Sequence, residues 1–112
     1  MKVEIKKLLF DIFTAISSIE DFTKDIANLE EYRNSKLQRR AVEREIEIIG
    51  EATKRILKTD INFPLTNARQ IIDTRNWVIH AYDNVDDIII WGIVNIHLPK
   101  LKDEVSSLLD SE

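Results

Sequence analysis

The chain has 112 residues with no Cys, two Gly and two Pro. Without a thiol there can be no disulfide, no thiolate metal site and no cysteine nucleophile, and nothing points to an oxidising compartment. So few Gly and Pro leave too little turn chemistry for a many-stranded sheet, which favours long helices joined by few loops. An all-α fold is expected. Long apolar runs are also missing: the most apolar stretch, Ile88 to Ile96, is about half of the ~20 residues that cross a bilayer. The charged start Met1-Lys2-Val3-Glu4-Ile5-Lys6-Lys7 leads into helical spacing rather than a signal-peptide core. A cytoplasmic protein without a membrane role is expected. There is no phosphate-cradling Gly-rich loop and no Gly-x-Ser-x-Gly elbow. Asp83, Asp86 and Asp87 lack the Gly and ligand pattern of a calcium loop and read better as helix caps. His97 has no second His or Cys at ligand spacing. No metal and no cofactor are expected.

What the chain does have is 44% hydrophobic and 32% charged residues, a globular composition at the length of one domain, residues 1–112. The net charge of −4 argues against a protein coated in positive charge for nucleic-acid binding. Its distribution is uneven. Residues 1–58 hold 12 Lys and Arg against 11 acids, and residues 59–112 hold four against nine. An RNA-facing surface would have to draw its cations from the first half or from a symmetry mate.

Ile5, Leu8, Leu9, Ile12, Ile16, Ile19 and Ile26 recur at gaps of three and four and predict an amphipathic helix over about 3–29. The pattern resets near Asn34-Ser35. Leu37, Ala41, Val42, Ile46, Ile49, Ala52, Ile56 and Leu57 then predict a second helix over about 35–58. Its polar face, Arg40, Glu43, Arg44, Glu47, Glu51 and Arg55, reads as solvated, with Glu51 and Arg55 spaced to pair. Pro64 and the loss of period make 59–67 a loop. A third helix follows, capped by Asn67 with Gln70 and ending near Ala81 or Tyr82, with Ala68, Ile71, Ile72, Val78 and Ile79 as its buried stripe. A fourth begins near residue 85 and should kink or restart at Pro99. It is apolar almost all round between Ile88 and Leu98, so one side should face the core and another a second copy of the chain. Trp77, Trp91 and Tyr32 could stack bases, but two of them sit in strongly apolar helices and read more simply as core or interface anchors. The simplest architecture is a four-helix bundle whose first two helices form a long antiparallel pair.

The third helix carries the one chemical constellation. Arg75 and Tyr82 are seven residues apart on nearly one face, and Asn76 and His80, four apart, stack on the adjacent one. Arg75 also lies close to the apolar stripe, where a guanidinium needs a carboxylate, phosphate or carbonyl partner. Imidazole exchanges protons at neutral pH, and guanidinium forks onto phosphate oxygens, a pair suited to binding or cleaving a phosphodiester without metal. On spacing alone a second reading stands beside it: Arg75 and His80 satisfying Asp83, Asp86 or Asp87 in a structural network at a helix end.

The segment Arg75-Asn76-Trp77-Val78-Ile79-His80-Ala81-Tyr82, together with Ile48-Ile49-Gly50-Glu51-Ala52 before it and Trp91 and Leu98-Pro99-Lys100-Leu101 after it, resembles the HepT branch of the HEPN superfamily. Ala81 stands where Gly is frequent in that branch. The resemblance implies a four-helix bundle of HEPN type that forms a dimer or a higher assembly. It also implies a metal-independent endoribonuclease toxin of a type VII-like toxin–antitoxin pair, acting on RNA at a composite dimer-interface site. His80 would be the general acid or base, Arg75 the phosphate ligand and Asn76 a positioning group. Tyr82 would be the tyrosine that an MntA-like nucleotidyltransferase antitoxin modifies with AMP. The alternative is a non-catalytic helical module that binds a nucleotide or a nucleotidyltransferase-like partner through its apolar fourth helix.

Overall fold

The computed structural model describes residues 1–66, 71–73, 76 and 87–111. Among the described residues all regular structure is helical: α1 (Val3–Thr23), α2 (Leu29–Asn34), α3 (Lys36–Thr59), α4 (Asp87–Gly92), a π-helical turn (Ile93–His97) and α5 (Leu98–Asp110). Residues 71–73 and 76 are also helical, which agrees with the expected third helix where it is described. The expected cap at Asn67 and Gln70, the stripe positions Ala68, Val78 and Ile79, and the helix end near Tyr82 lie outside the described residues.

One boundary differs from expectation. The first helix stops at Thr23 and not near residue 29, and a separate short helix follows. The Thr23 hydroxyl donates to the Ile19 carbonyl. Asn28, in extended backbone, accepts from the Glu31 N–H at 2.9 Å, while the Glu31 carboxylate accepts from the Ala27 N–H at 2.6 Å. This reciprocal cap starts α2 and outweighs continuation of the apolar period through Ile26.

The long pair α1 and α3 runs antiparallel: Val3 and Leu8 share a groove with Arg55 and Thr59, and Phe22 and Ile26 share another with Leu37 and Ala41. Between them Ile5, Leu9, Ile12, Ile16 and Ile19 meet Val42, Ile46, Ile49 and Ile56, all buried. Each such side chain contributes roughly 1.5–3 kcal/mol by leaving water. The core is closed by Ile90, Ile93, Leu98, Leu101 and Val105 of the C-terminal helices and by Ile71. Leu37, expected in the buried stripe, is 77% exposed: five residues before the buried Val42, it stands roughly 140° away from it around the helix.

Pro99 has no backbone donor, and its ring would strike the Asn95 carbonyl in a regular α-helix. The α-helix restarts here, α5 beginning at Leu98 with Pro99 in its first turn. The chain widens one turn earlier, where the Leu98 N–H donates to the Ile93 carbonyl five residues back. Farther along, Lys102 bonds Glu20 and covers the Phe13 ring at 5.3 Å, and the Glu104 carboxylate accepts from the Thr66 N–H at 2.7 Å. These contacts tie α5 to α1 and to the loop that leads towards the third helix. No described helix is long and apolar enough to cross a membrane.

Candidate functional site

Of the candidate site residues, Asn76 is described: it is helical and exposed. Ile71, five residues earlier, is buried in the core, so this helix is docked by its apolar side while Asn76 faces outward. Arg75, His80 and Tyr82 lie outside the described residues, as do Asp83 and Asp86 of the capping alternative. Asp87 is described, and it fixes where the chain leaves the motif.

Asp87 is the first residue of α4 and faces Arg39 of α3, Oδ1 to Nη1 at 3.9 Å, with both side chains largely shielded from solvent. One turn on, Trp91 stacks against Tyr32 of α2, ring centroids 5.0 Å apart and planes at 28°. Tyr32 is fully buried, and Trp91 packs partly buried against the core. The start of α4 is thus held by an ion pair from one helix and an aromatic contact from another, five residues after Tyr82 in the chain.

The polar groups at this corner are incompletely satisfied. The Tyr32 hydroxyl and the Arg39 Nε are buried without hydrogen-bond partners. Burial pushes the Tyr32 phenol well above its ordinary pKa, and the negative charges of Glu43 and Asp87 add to the effect. Burial also lifts the Glu43 carboxyl above the usual carboxylate range, with Asp87 and Glu47 reinforcing and Arg39 and Arg40 opposing. Glu43 is therefore not the freely solvated face residue expected, since it leans towards the same corner as Arg39. Sequence reasoning passed over Arg39. The signal was its spacing: Arg39, Val42 and Ile46 stand at i, i+3 and i+7, which puts the guanidinium at the edge of the apolar stripe. Farther along α3 the expected Glu51–Arg55 pair forms at 3.5 Å on the exposed face.

The outer side of α4 carries Ile88 and Ile89 and is continued by Ile96 of the π-helical turn, each half or more exposed, and a Cβ added at Gly92 among them would meet nothing within 4 Å. The helix is thus apolar on its outer as well as its inner side, and the glycine permits a close backbone approach there. Among the described residues no three His, Asp or Glu side chains gather as a metal ligand set.

Comparison with known proteins places these features in one family. The family model described as "Ribonuclease HepT-like" matches residues 12–108. The protein named "Putative RNase MJ1380" from Methanocaldococcus jannaschii is 40% identical over 93% of this chain and 95% of its own length. Another from the same organism, "Putative RNase MJ0125", is 36% identical over 96% of this chain and 93% of its own length. "Probable ribonuclease HepT" from Thermococcus cleftensis is 38% identical over 96% of this chain and 98% of its own length. No solved structure matches the chain significantly. The match spans the helical pair, the Arg75-to-Tyr82 motif and the Leu98-Pro99 step, and the chain belongs to the HepT-like ribonuclease family.

Proposed function

We propose that this protein is a metal-independent endoribonuclease toxin, and that Arg75, Asn76 and His80 carry the reaction. The observation that supports this most strongly is that the family match runs through the Arg75-x-x-x-x-His80-x-Tyr82 motif. The ribose 2′-hydroxyl attacks the adjacent phosphorus. A P–O2′ bond forms and the P–O5′ bond breaks, leaving a 2′,3′-cyclic phosphate and a 5′-hydroxyl. His80 takes the proton from the 2′-hydroxyl or gives one to the departing O5′, and water makes the complementary proton transfer. Arg75 pairs with the phosphate oxygens as charge accumulates on them, and Asn76, exposed beside it, helps position the pair.

Two copies of the chain associate through the apolar outer side of α4, and their motifs line one cleft. The exposed Ile88, Ile89 and Ile96 around Gly92 favour such a contact, since an apolar patch is stabilised when it leaves water. Tyr82 is the control point. A nucleotidyltransferase partner of the MntA type attaches AMP to its phenol, and the added bulk and negative charge beside Arg75 and His80 exclude RNA. The experiment is cleavage of a defined RNA with end-group analysis. Products should carry 2′,3′-cyclic phosphate, and a 2′-deoxy nucleotide at the cut site should abolish cleavage. Cleavage that persists at the deoxy position would overturn the mechanism. Tyr82→Phe should still cut RNA but escape silencing by the partner and ATP.

A further inference from the structure

Residues 33–44 hold five basic side chains, Arg33, Lys36, Arg39, Arg40 and Arg44, against one acid, Glu43, in a chain of net charge −4. Arg39 turns inward to Asp87. The other four are exposed: Arg33 in the last turn of α2, then Lys36, Arg40 and Arg44 along α3. At spacings of four residues those three share one side of the helix in steps of ~6 Å, the scale of successive phosphates on a nucleic-acid strand. Among the described residues no carboxylate pairs with Arg33, Lys36 or Arg40. Arg44, largely exposed, has a long contact with Glu47 at 3.9 Å, of the kind that contributes little, and also interacts with the Glu45 carboxylate. The lone acid, Glu43, is half-buried towards the Arg39–Asp87 corner, while Arg33, Lys36, Arg40 and Arg44 are exposed.

We infer that Arg33, Lys36, Arg40 and Arg44 form a docking strip for the phosphate backbone of single-stranded RNA. The inference rests on the ribonuclease reading and adds to it a surface outside the motif. Position supports it, because the strip lies at the end of α3 that Arg39 joins to Asp87, where the chain emerges from the motif. An RNA strand gripped there is carried towards the scissile position, and the sequence-independent contacts let product leave.

Binding of a fluorescent 2′-O-methyl RNA to the wild-type protein tests this without turnover, because that RNA lacks the attacking hydroxyl. The triple variant Arg33→Gln/Lys36→Gln/Arg40→Gln should bind at least tenfold more weakly in 0.1 M salt, a concentration at which phosphate contacts still dominate affinity. The slope of log affinity against log salt should shrink by about 2, at roughly 0.7 per phosphate contact on a single strand. Lys54→Gln/Lys58→Gln, at the other end of α3, should stay within twofold of wild type. Affinity and slope unchanged in the triple variant, or an equal loss in the control pair, would overturn the strip. So would unchanged RNA binding alongside lost binding to phosphatidylserine vesicles, which would assign the charge to a membrane surface. Failure of wild type to cut ordinary RNA would instead count against the ribonuclease reading, and the binding comparison would still decide the strip.

Discussion

Tyr32 and Trp91 stack at 5.0 Å, yet the tyrosine hydroxyl at the edge of that stack is buried with no hydrogen-bond partner. The ring stabilises the junction of α2 and α4, while the hydroxyl has given up water for nothing in return. Tyr32→Phe should therefore leave the protein as stable as wild type or up to about 1 kcal/mol more stable, since it removes an unsatisfied group and keeps the stack. Tyr32→Ala should cost about 3–5 kcal/mol through the cavity it leaves. Urea unfolding of the two variants checks both values.

Glu43 gives a pH signature. Its folded pKa is raised above the ordinary 4.5, chiefly by burial, so the folded protein binds more protons than the unfolded chain within that window. Stability contributed by this group falls as pH climbs from about 4.5 through the raised folded value. Glu43→Gln stays neutral and lacks this component. Its melting temperature should exceed that of wild type at pH 7, and the gap should close as pH drops below 4.5. A gap that is constant with pH would contradict the assignment.

Arg39 and Asp87 should act as a unit that holds the chain where it leaves the motif. Arg39→Met or Asp87→Asn leaves the other charge shielded and uncompensated, at a cost on the order of 2 kcal/mol, between exposed and fully buried pairs. The double substitution should cost less than the sum of the two, which a double-mutant cycle in urea measures.

How far the sequence was legible depends on which force set each feature. The α1–α3 pair was readable because its stripe, Ile5 to Ile19 against Val42 to Ile56, is governed by burial, and burial leaves a periodic trace. The break at Thr23 was misread because the same period runs on to Ile26. The Asn28-x-x-Glu31 cap that ends it depends on two hydrogen bonds, a weaker signal inside a strong pattern. Leu37 was misplaced because its five-residue gap to Val42 breaks the three-and-four spacing and turns it off the buried stripe. Pro99 announced a disruption, but whether the helix kinks or widens depends on neighbours that spacing does not encode. Arg75, His80 and Tyr82 were singled out by residue type, spacing and family resemblance and lie outside the described residues, while the Arg39–Asp87–Tyr32 corner was missed because its partners are distant in sequence.

The apolar outer side of α4 makes a prediction about assembly. Ile89→Asp places a charge in the proposed contact between copies and should yield a monomer at micromolar concentration, with cleavage reduced at least a hundredfold if both motifs are needed. Ile61→Asp, on the loop after α3 and more exposed than Ile89, should change neither property. Analytical ultracentrifugation beside the cleavage assay distinguishes them.

Everything proposed for the chemistry depends on an imidazole and a guanidinium five positions apart. The direct measurement is cleavage of a labelled RNA in excess EDTA by wild type, His80→Ala and Arg75→Ala, with far-UV circular dichroism on the same samples. The account predicts that wild type cuts with metal removed and that each variant keeps its helical spectrum and loses at least a hundredfold in rate, the scale for removing a general acid–base or an electrostatic stabiliser. Wild-type cleavage abolished by EDTA, or variants that cut at the wild-type rate, would contradict it.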